Sequence, residues 1–219
     1  MYEEIDIQKW DRKEIYEHFT RVKSPHYAIG GNVDITPLID FAHEKNLSTY
    51  LTLIYYMTKV VNGIENFRYR IVDGKVVKYD KIHSNFTHKR PDSEQFRYHT
   101  CSFEGTVEEF VSKTSVAISE QQTLFGGMEA VPNVIYFSCL PWIDATCITN
   151  PGMNNDDDAI PRINWGKFVK ADGRVKLNVT VTVNHRFIDG FHVGKFFIGL
   201  QEEIFRLAEN NNASLNINV

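Results

Sequence analysis

The sequence predicts an α+β domain with a large sheet, mixed or mostly antiparallel. Three observations carry that expectation. Two Asp-Gly pairs, Asp73-Gly74 and Asp172-Gly173, each sit between strand-like segments and mark β-hairpins with type I′ turns. From Arg174 to Asn184 the chain alternates: Val175, Leu177, Val179, Val181 and Val183 share one face, and Asn178, Thr180, Thr182 and Asn184 the other. Stretches with helical spacing fall between these strands without pairing off with them one to one.

In chain order, residues 12–21 are mixed and polar and read as a short surface helix. Val33-Asp34-Ile35 reads as a short strand. Thr36-Pro37 then reads as an N-cap with proline at the first helical position, opening a helix that ends near Asn46 with Leu38, Phe41 and Ala42 inward. Thr49 to Val61 is apolar enough for a buried helix. Phe67 to Ile71 and Val76 to Tyr79 form the arms of the first hairpin. Val107 to Gln121 spaces Val107, Phe110, Val111 and Ile118 as one face of an amphipathic helix. Asn133 to Trp142 reads as a buried strand, and a polar, irregular stretch follows from Asn150 to Asp158. Asn164 to Ala171 and Arg174 to Asn184 flank the second Asp-Gly pair. After Gly190, residues Val193, Phe196, Phe197, Leu200, Ile204 and Leu207 recur at helical spacing and give a long closing helix. Residues 1–209 are expected to form a single domain, and 210–219 a polar tail without clear structure.

Lys and Arg number 24 against 28 Asp and Glu, a net charge of −4, which argues against a nucleic-acid partner. Apolar residues make up 42%, enough for a sizeable core at this length. Cys101, Cys139 and Cys147 are odd in number and unpaired in spacing, which points to a reducing compartment. The first ten residues lack an apolar signal core, and no apolar run approaches the length of a membrane span. A cytoplasmic protein with no membrane partner is therefore expected. His83, His88, His99 and His192 show no close ligand spacing, so no metal is expected. Asp156-Asp157-Asp158 reads as a solvated loop before it reads as a cation site, and Gly126-Gly127 as a turn.

The chemistry concentrates in Asn184 to Gly194, Asn-His-Arg-Phe-Ile-Asp-Gly-Phe-His-Val-Gly. A cleanly alternating strand delivers His185 at its end, and Asp189-Gly190 follows at the turn into a helix. A general base needs such support, because its rotamer must be held by its surroundings.

His185-x-x-x-Asp189-Gly190 followed by Phe191-His192-Val193-Gly194 resembles the signature of the chloramphenicol acetyltransferases, the trimeric type. The short His-x-x-x-Asp-Gly core is shared with other CoA-dependent acyltransferases; the extended run is more specific. Further matches stand in the family's order: Trp10 with Arg12-Lys13-Glu14, Val33-Asp34-Ile35-Thr36, Asn66-Phe67-Arg68, Tyr79-Asp80, Glu94-x-Phe96 and Leu140-Pro141-Trp142.

The resemblance implies a two-layer α/β sandwich and a homotrimer with active sites between subunits. It implies direct acetyl transfer from acetyl-CoA, as co-substrate, to the hydroxyl of a small acceptor, with no permanently bound cofactor. It makes His185 the general base and Asp189 a support paired with Arg12. The family's oxyanion donor is a serine shortly after Pro-Trp, and Cys147 stands there. A thiol is the weaker donor, so Cys147, Thr146 or a backbone N–H fills that role; a small apolar packing role for Cys147 and a nucleophilic Cys-His pair are the other readings of the thiol. Tyr50, Lys167 and Phe168 match positions that contact CoA. Tyr27, Ile29, Phe103 and Phe125 match the acceptor pocket, with Arg162 and Asn164 where the family carries smaller or more apolar side chains. A more polar acceptor than chloramphenicol is the expectation that follows. The contrasting expectation, resting on Cys147, is a weakly active or non-catalytic trimer that binds CoA or another ligand.

Overall fold

The computed structural model describes residues 1–90, 93–128, 131–151 and 155–215, with side chains described as far as residue 209. Its strands are β1 (Tyr2–Glu4), β2 (His26–Asp34), β3 (Tyr69–Val72), β4 (Lys75–Tyr79), β5 (His83–Lys89), β6 (Phe96–Cys101), β7 (Phe125–Gly127), β8 (Val134–Cys139), β9 (Arg162–Trp165), β10 (Val169–Ala171) and β11 (Arg174–Asn184). Its α-helices are α1 (Lys13–Thr20), α2 (Thr36–Glu44), α3 (Thr49–Asn62), α4 (Val107–Glu120) and α5 (Gly190–Leu215).

Among the described residues β1, β4 and β3 form a small antiparallel sheet, and eight strands form the large one. The large sheet runs β10-β11-β9-β8-β5-β6-β7, with β2 along the other edge of β11. Strands β5 and β8, β8 and β9, and β6 and β7 pair in parallel; the other pairings are antiparallel. The sheet is mixed, as the α+β reading expects.

Helix α5 buries Val193, Phe196, Leu200 and Ile204 and packs on α2, α3 and β2. Burying each such side chain contributes about 1.5–3 kcal/mol, which explains why this face is continuous. Helix α3 is buried over most of its surface, including Leu53, Ile54, Met57 and Val61. It starts at Ser48, whose hydroxyl accepts the Leu51 N–H. Thr106 and Glu109 cap α4 reciprocally.

Several elements depart from the sequence reading. Strand β2 begins at His26, well before Val33, because β11 pairs with it along its whole length; Gly30-Gly31 hides this in the sequence. Thr36 is the first residue of α2, and the Asp34 carboxylate accepts its N–H at 3.0 Å. Asn66 to Arg68 lie in a 3₁₀ turn that precedes β3. The arm expected from Asn164 to Ala171 is broken at Gly166–Phe168. Trp165 pairs with Val179 and Val169 with Lys176, so one extra residue bulges out between β9 and β10. Gly166 belongs at this bulge, since a Cβ there would lie 2.6 Å from Ile143 O. Pro141 and Trp142 leave β8 and are exposed. Strands β5 and β6 are rich in His, Thr and Asn and lack an apolar pattern. Helix α5 continues to Leu215, past the start of the expected tail; extending a formed helix is easier than starting one. Both Asp-Gly turns are type I′-like, with Asp73, Gly74, Asp172 and Gly173 all at positive φ.

Candidate active site

The large sheet presents one face to the helices. A Cβ on Gly31 would strike Phe197 of α5, so Tyr27, Ile29, Gly31 and Val33 face the helix layer. Gly30 faces the other way, where a Cβ would meet Thr146 O at 3.2 Å.

His185 lies at the end of β11 on the helix side. Its ring stacks on Phe19 of α1 with centroids 3.9 Å apart and tilts against Tyr27 at 4.6 Å. Its Nδ1 is buried and lies 3.2 Å from Asp189 Oδ1, without the alignment of a hydrogen bond. The side chain is 32% exposed, and with Nδ1 buried the accessible edge of the ring is the one that carries Nε2.

The turn that carries His185 is tied at every backbone group. The N–H of His185 donates to Pro25 O, that of Arg186 to Asn184 Oδ1, and those of Phe187 and Ile188 to Asn184 O. The Asp189 N–H donates to His192 Nδ1 at 3.0 Å. The carbonyls of His185 and Arg186 accept from Arg12, that of Phe187 from Asn66, and that of Ile188 from the Tyr27 hydroxyl. The Asp189 carbonyl starts α5. Paired in this way, the turn has no orphaned backbone group to relax around.

Arg12 is 8% exposed and binds both carboxylate oxygens of Asp189, one at 2.6 Å. The guanidinium holds the Asp189 carboxyl below the usual carboxylate range. Burial, and then Asp189, push the Tyr27 phenol up to about 12, so it stays a donor to Ile188. Burial also lowers the His192 imidazole, which favours the neutral ring that accepts the Asp189 N–H. That role for His192 escaped the sequence reading. Its place three residues after Asp189 is the signal that could have found it.

A second feature lies across the sheet. Strands β5 and β8 pair only as far as Phe86 and Phe137, and then part. The space opened there is a cavity of about 1540 Å³ lined by Thr87, His88, Ser138 and Cys139 at the parting ends. It exceeds the roughly 300–1,000 Å³ of a common single-ligand site. Tyr50, Phe125, Arg162, Asn164, Lys167 and Phe168 all line it. Tyr50 donates to Thr87 O at 2.7 Å. Arg162 lies over the Tyr136 ring and binds Asp158 Oδ2 at 2.6 Å. Burial pushes the Cys139 thiol up to about 12, which makes it a poor nucleophile at neutral pH.

Cys147 and Thr146 lie on an exposed loop beside this cavity, and the Cys147 thiol is free. Ile148 anchors the loop: its N–H donates to Thr180 Oγ1 at 3.3 Å, and its carbonyl accepts from Asn164 Nδ2 at 3.2 Å. The loop crosses the sheet at Gly30, which pairs with Thr180. His185 is five residues further along β11, about 16 Å away at strand rise, and belongs to the opposite face. Tyr27 and Ile29 accompany the histidine and do not line the cavity. Phe103 joins neither group; its ring packs 5.1 Å from Tyr55. Within one chain, then, the sequence-predicted site residues form two groups, one around His185 and one around the cavity.

The family model for chloramphenicol acetyltransferase matches residues 1–201. The chain belongs to the chloramphenicol acetyltransferase family. A chloramphenicol acetyltransferase of Clostridium perfringens is 29% identical over 202 residues, covering 90% of this chain and 92% of the relative. A solved chloramphenicol acetyltransferase structure superposes with a TM-score of 0.84 at 26% identity, over 92% of this chain and 99% of the other. The fold extends to a dihydrolipoamide acetyltransferase of Azotobacter vinelandii, with a TM-score of 0.65 at 17% identity over 87% of this chain and 85% of that one. The chain is accordingly an acyltransferase, of a family whose co-substrate is acetyl-CoA. Among the described residues no helix is long and apolar enough to cross a membrane, and no cluster of potential metal ligands occurs.

Proposed function

We propose that this protein transfers acetyl from acetyl-CoA directly to the hydroxyl of a small acceptor, with His185 as general base. The observation that carries this reading is the accessible Nε2 edge of a ring whose other nitrogen is buried beside Asp189, on a turn with all its backbone groups paired. An alcohol is a poor nucleophile at neutral pH, and a neutral imidazole can accept its proton. In the proposed step Nε2 takes the hydroxyl proton as the oxygen attacks the thioester carbon. The tetrahedral intermediate collapses, the C–S bond breaks, and the proton passes to the departing CoA sulfur.

The separation of the two groups supports a site shared between copies of the chain, as in a homotrimer. In this arrangement the histidine of one subunit faces the cavity of its neighbour. Tyr50, Lys167 and Phe168 would hold CoA there, and Phe125, Arg162 and Asn164 the acceptor, with Tyr27, Ile29 and Phe103 as further acceptor contacts. Cys147, Thr146 or a loop N–H would face the oxyanion. Arg162, Asn164, Asn85, Thr100 and Tyr136 make one wall of the cavity polar, which favours an acceptor more polar than chloramphenicol.

A second reading, a weakly active or non-catalytic CoA-binding homologue, draws on the exposed thiol at Cys147. Thiol release from acetyl-CoA, followed colorimetrically with chloramphenicol and a panel of hydroxyl compounds, separates the two. Turnover that disappears in His185→Ala supports the enzyme. Most of the rate surviving that substitution would remove the base.

A further inference from the structure

We propose that the acidic run Asp156-Asp157-Asp158 is a positioning element, tying the turn that holds His185 to the wall of the cavity. The inference rests on His185 being the base. A run of three aspartates in a polar loop reads first as a solvated segment, and its contacts here are otherwise. Asp157 Oδ1 pairs with Arg186 Nη1 at 2.6 Å, and the arginine is only 4% exposed. Asp158 Oδ2 pairs with Arg162 Nη2 at 2.6 Å, and its Oδ1 accepts the Ile160 N–H. Asp156 Oδ1 accepts the Ser24 N–H at 3.0 Å. The backbone takes part too. Asn184 Nδ2 donates to the carbonyls of Asp156 and Asp158, and His26 Nε2 lies 2.7 Å from the latter.

The partners of the run share one property. Asn184 and Arg186 are the two chain neighbours of His185. Ser24 and His26 flank Pro25, whose carbonyl takes the His185 N–H. Arg162 lines the cavity. The run therefore grips the base from both sides along the chain, holds the segment underneath it, and fixes the group to a cavity residue. Asp157 is the most informative member. Its carboxylate is largely exposed, so its replacement removes little packing, while the buried guanidinium of Arg186 loses its counter-charge and must move toward solvent. That movement displaces the residue next to His185, and small misplacements of a reacting group are expensive in rate.

The test is steady-state kinetics on the full chain, with acetyl-CoA and either chloramphenicol or the fastest alcohol of the panel. Asp157→Asn is expected to lower kcat about 10- to 100-fold while KM for acetyl-CoA stays within about twofold, the pattern of a misplaced group and not of lost binding. Asp157→Glu should recover most of the turnover. An unchanged kcat in Asp157→Asn overturns the proposal, as does a fall in kcat matched by a rise in both KM values and a lower melting midpoint. Should Asp157→Asn fail to fold, Arg186→Gln decides, since it removes the ion pair from the other side: reduced kcat at constant acetyl-CoA KM supports the tie, and unaltered kcat rejects it. If His185→Ala is inactive while Asp157→Asn matches the parent, the tie alone is wrong. If His185→Ala is active, the base reading fails on its own account.

Discussion

The turn from His185 to Asp189 and the loop from Ile143 to Ile148 lie on opposite faces of one sheet, and they are built to different standards. In the turn, all five N–H groups and all five carbonyls have partners within the chain. In the loop the Ile143 N–H donates to Leu140 O, Ile143 O accepts the Lys167 N–H at 2.7 Å, Ile148 makes two bonds, and the Asn178 amide nitrogen reaches the carbonyls of Ala145 and Thr146; Cys147 itself is exposed. Under the proposed function the proton acceptor must be in place before substrate arrives, and its scaffold is complete within one chain. A loop beside an open cavity can be completed by whatever packs against it. The contrast places the preorganised half of the chemistry at the end of β11, and the adaptable half around the parting of β5 and β8.

The most severe way to break this comparison is His185→Ala. Turnover should fall about 10²–10⁴-fold, the usual contribution of a positioned base, while acetyl-CoA binding measured by calorimetry stays as it was. A comparable loss of binding would mean that the ring belongs to the cavity half after all.

Asp189→Asn tests the scaffold and not the chemistry. It leaves Arg12 without its counter-charge at a buried position, and should cost about 3 kcal/mol, the lower end for a broken buried pair because Asp189 keeps some exposure. Chemical denaturation measures it. The sign of the pH dependence follows from the lowered folded-state carboxyl. The pair's contribution is fully present above the unfolded carboxyl range and is lost as pH falls through the depressed folded value. The parent should therefore lose stability on acidification more steeply than Asp189→Asn; parallel acid curves would contradict the pairing.

Cys147→Ser sharpens the other half. A hydroxyl is a better donor than a thiol, and removing an oxyanion donor costs about 10²–10³ in turnover, so a gain of about tenfold is expected if this side chain faces the oxyanion. No gain would assign the role to Thr146 or to a loop N–H. An effect of comparable size is expected from Asn164→Leu. By exchanging a polar wall residue for an apolar one, it should improve discrimination toward chloramphenicol over polyhydroxylated acceptors by about 1–2 kcal/mol in kcat/KM. Its amide also holds Ile148, so a general loss of kcat with every acceptor would instead identify it as a support for the loop.

The same contrast governs what the sequence made legible. The signal of the base half is local. Alternation along β11, His185 at its end and Asp189-Gly190 at the helix start lie within sixteen consecutive positions, while the groups that hold the turn, Arg12, Phe19, Pro25, Tyr27 and Asn66, come from afar. The cavity half is assembled from β5, β6, β8 and β9, whose order in the sheet does not follow the chain. Strands β5 and β6 carry polar side chains on a cavity wall, so the apolar alternation that reveals a strand is missing where the function needs it gone. The bulge at Gly166 and the parting after Phe86 are tertiary events without a local pattern. Asp156 to Asp158 reads as solvent-facing charge because Arg186, the partner of Asp157, lies 29 positions on, and no periodic pattern in the stretch around Asp158 marks Arg162, four positions on, as its partner.

The Arg12–Asp189 pair joins residues 177 positions apart. While the chain is emerging from a ribosome, the guanidinium waits almost the entire length of synthesis for its carboxylate, and α1 has no stacked imidazole to rest against. Contacts of such long sequence separation form late. The corner around the proposed base is thus the closing stitch of folding, and a nascent or prematurely terminated polypeptide, however well its early helices have formed, has not yet assembled it.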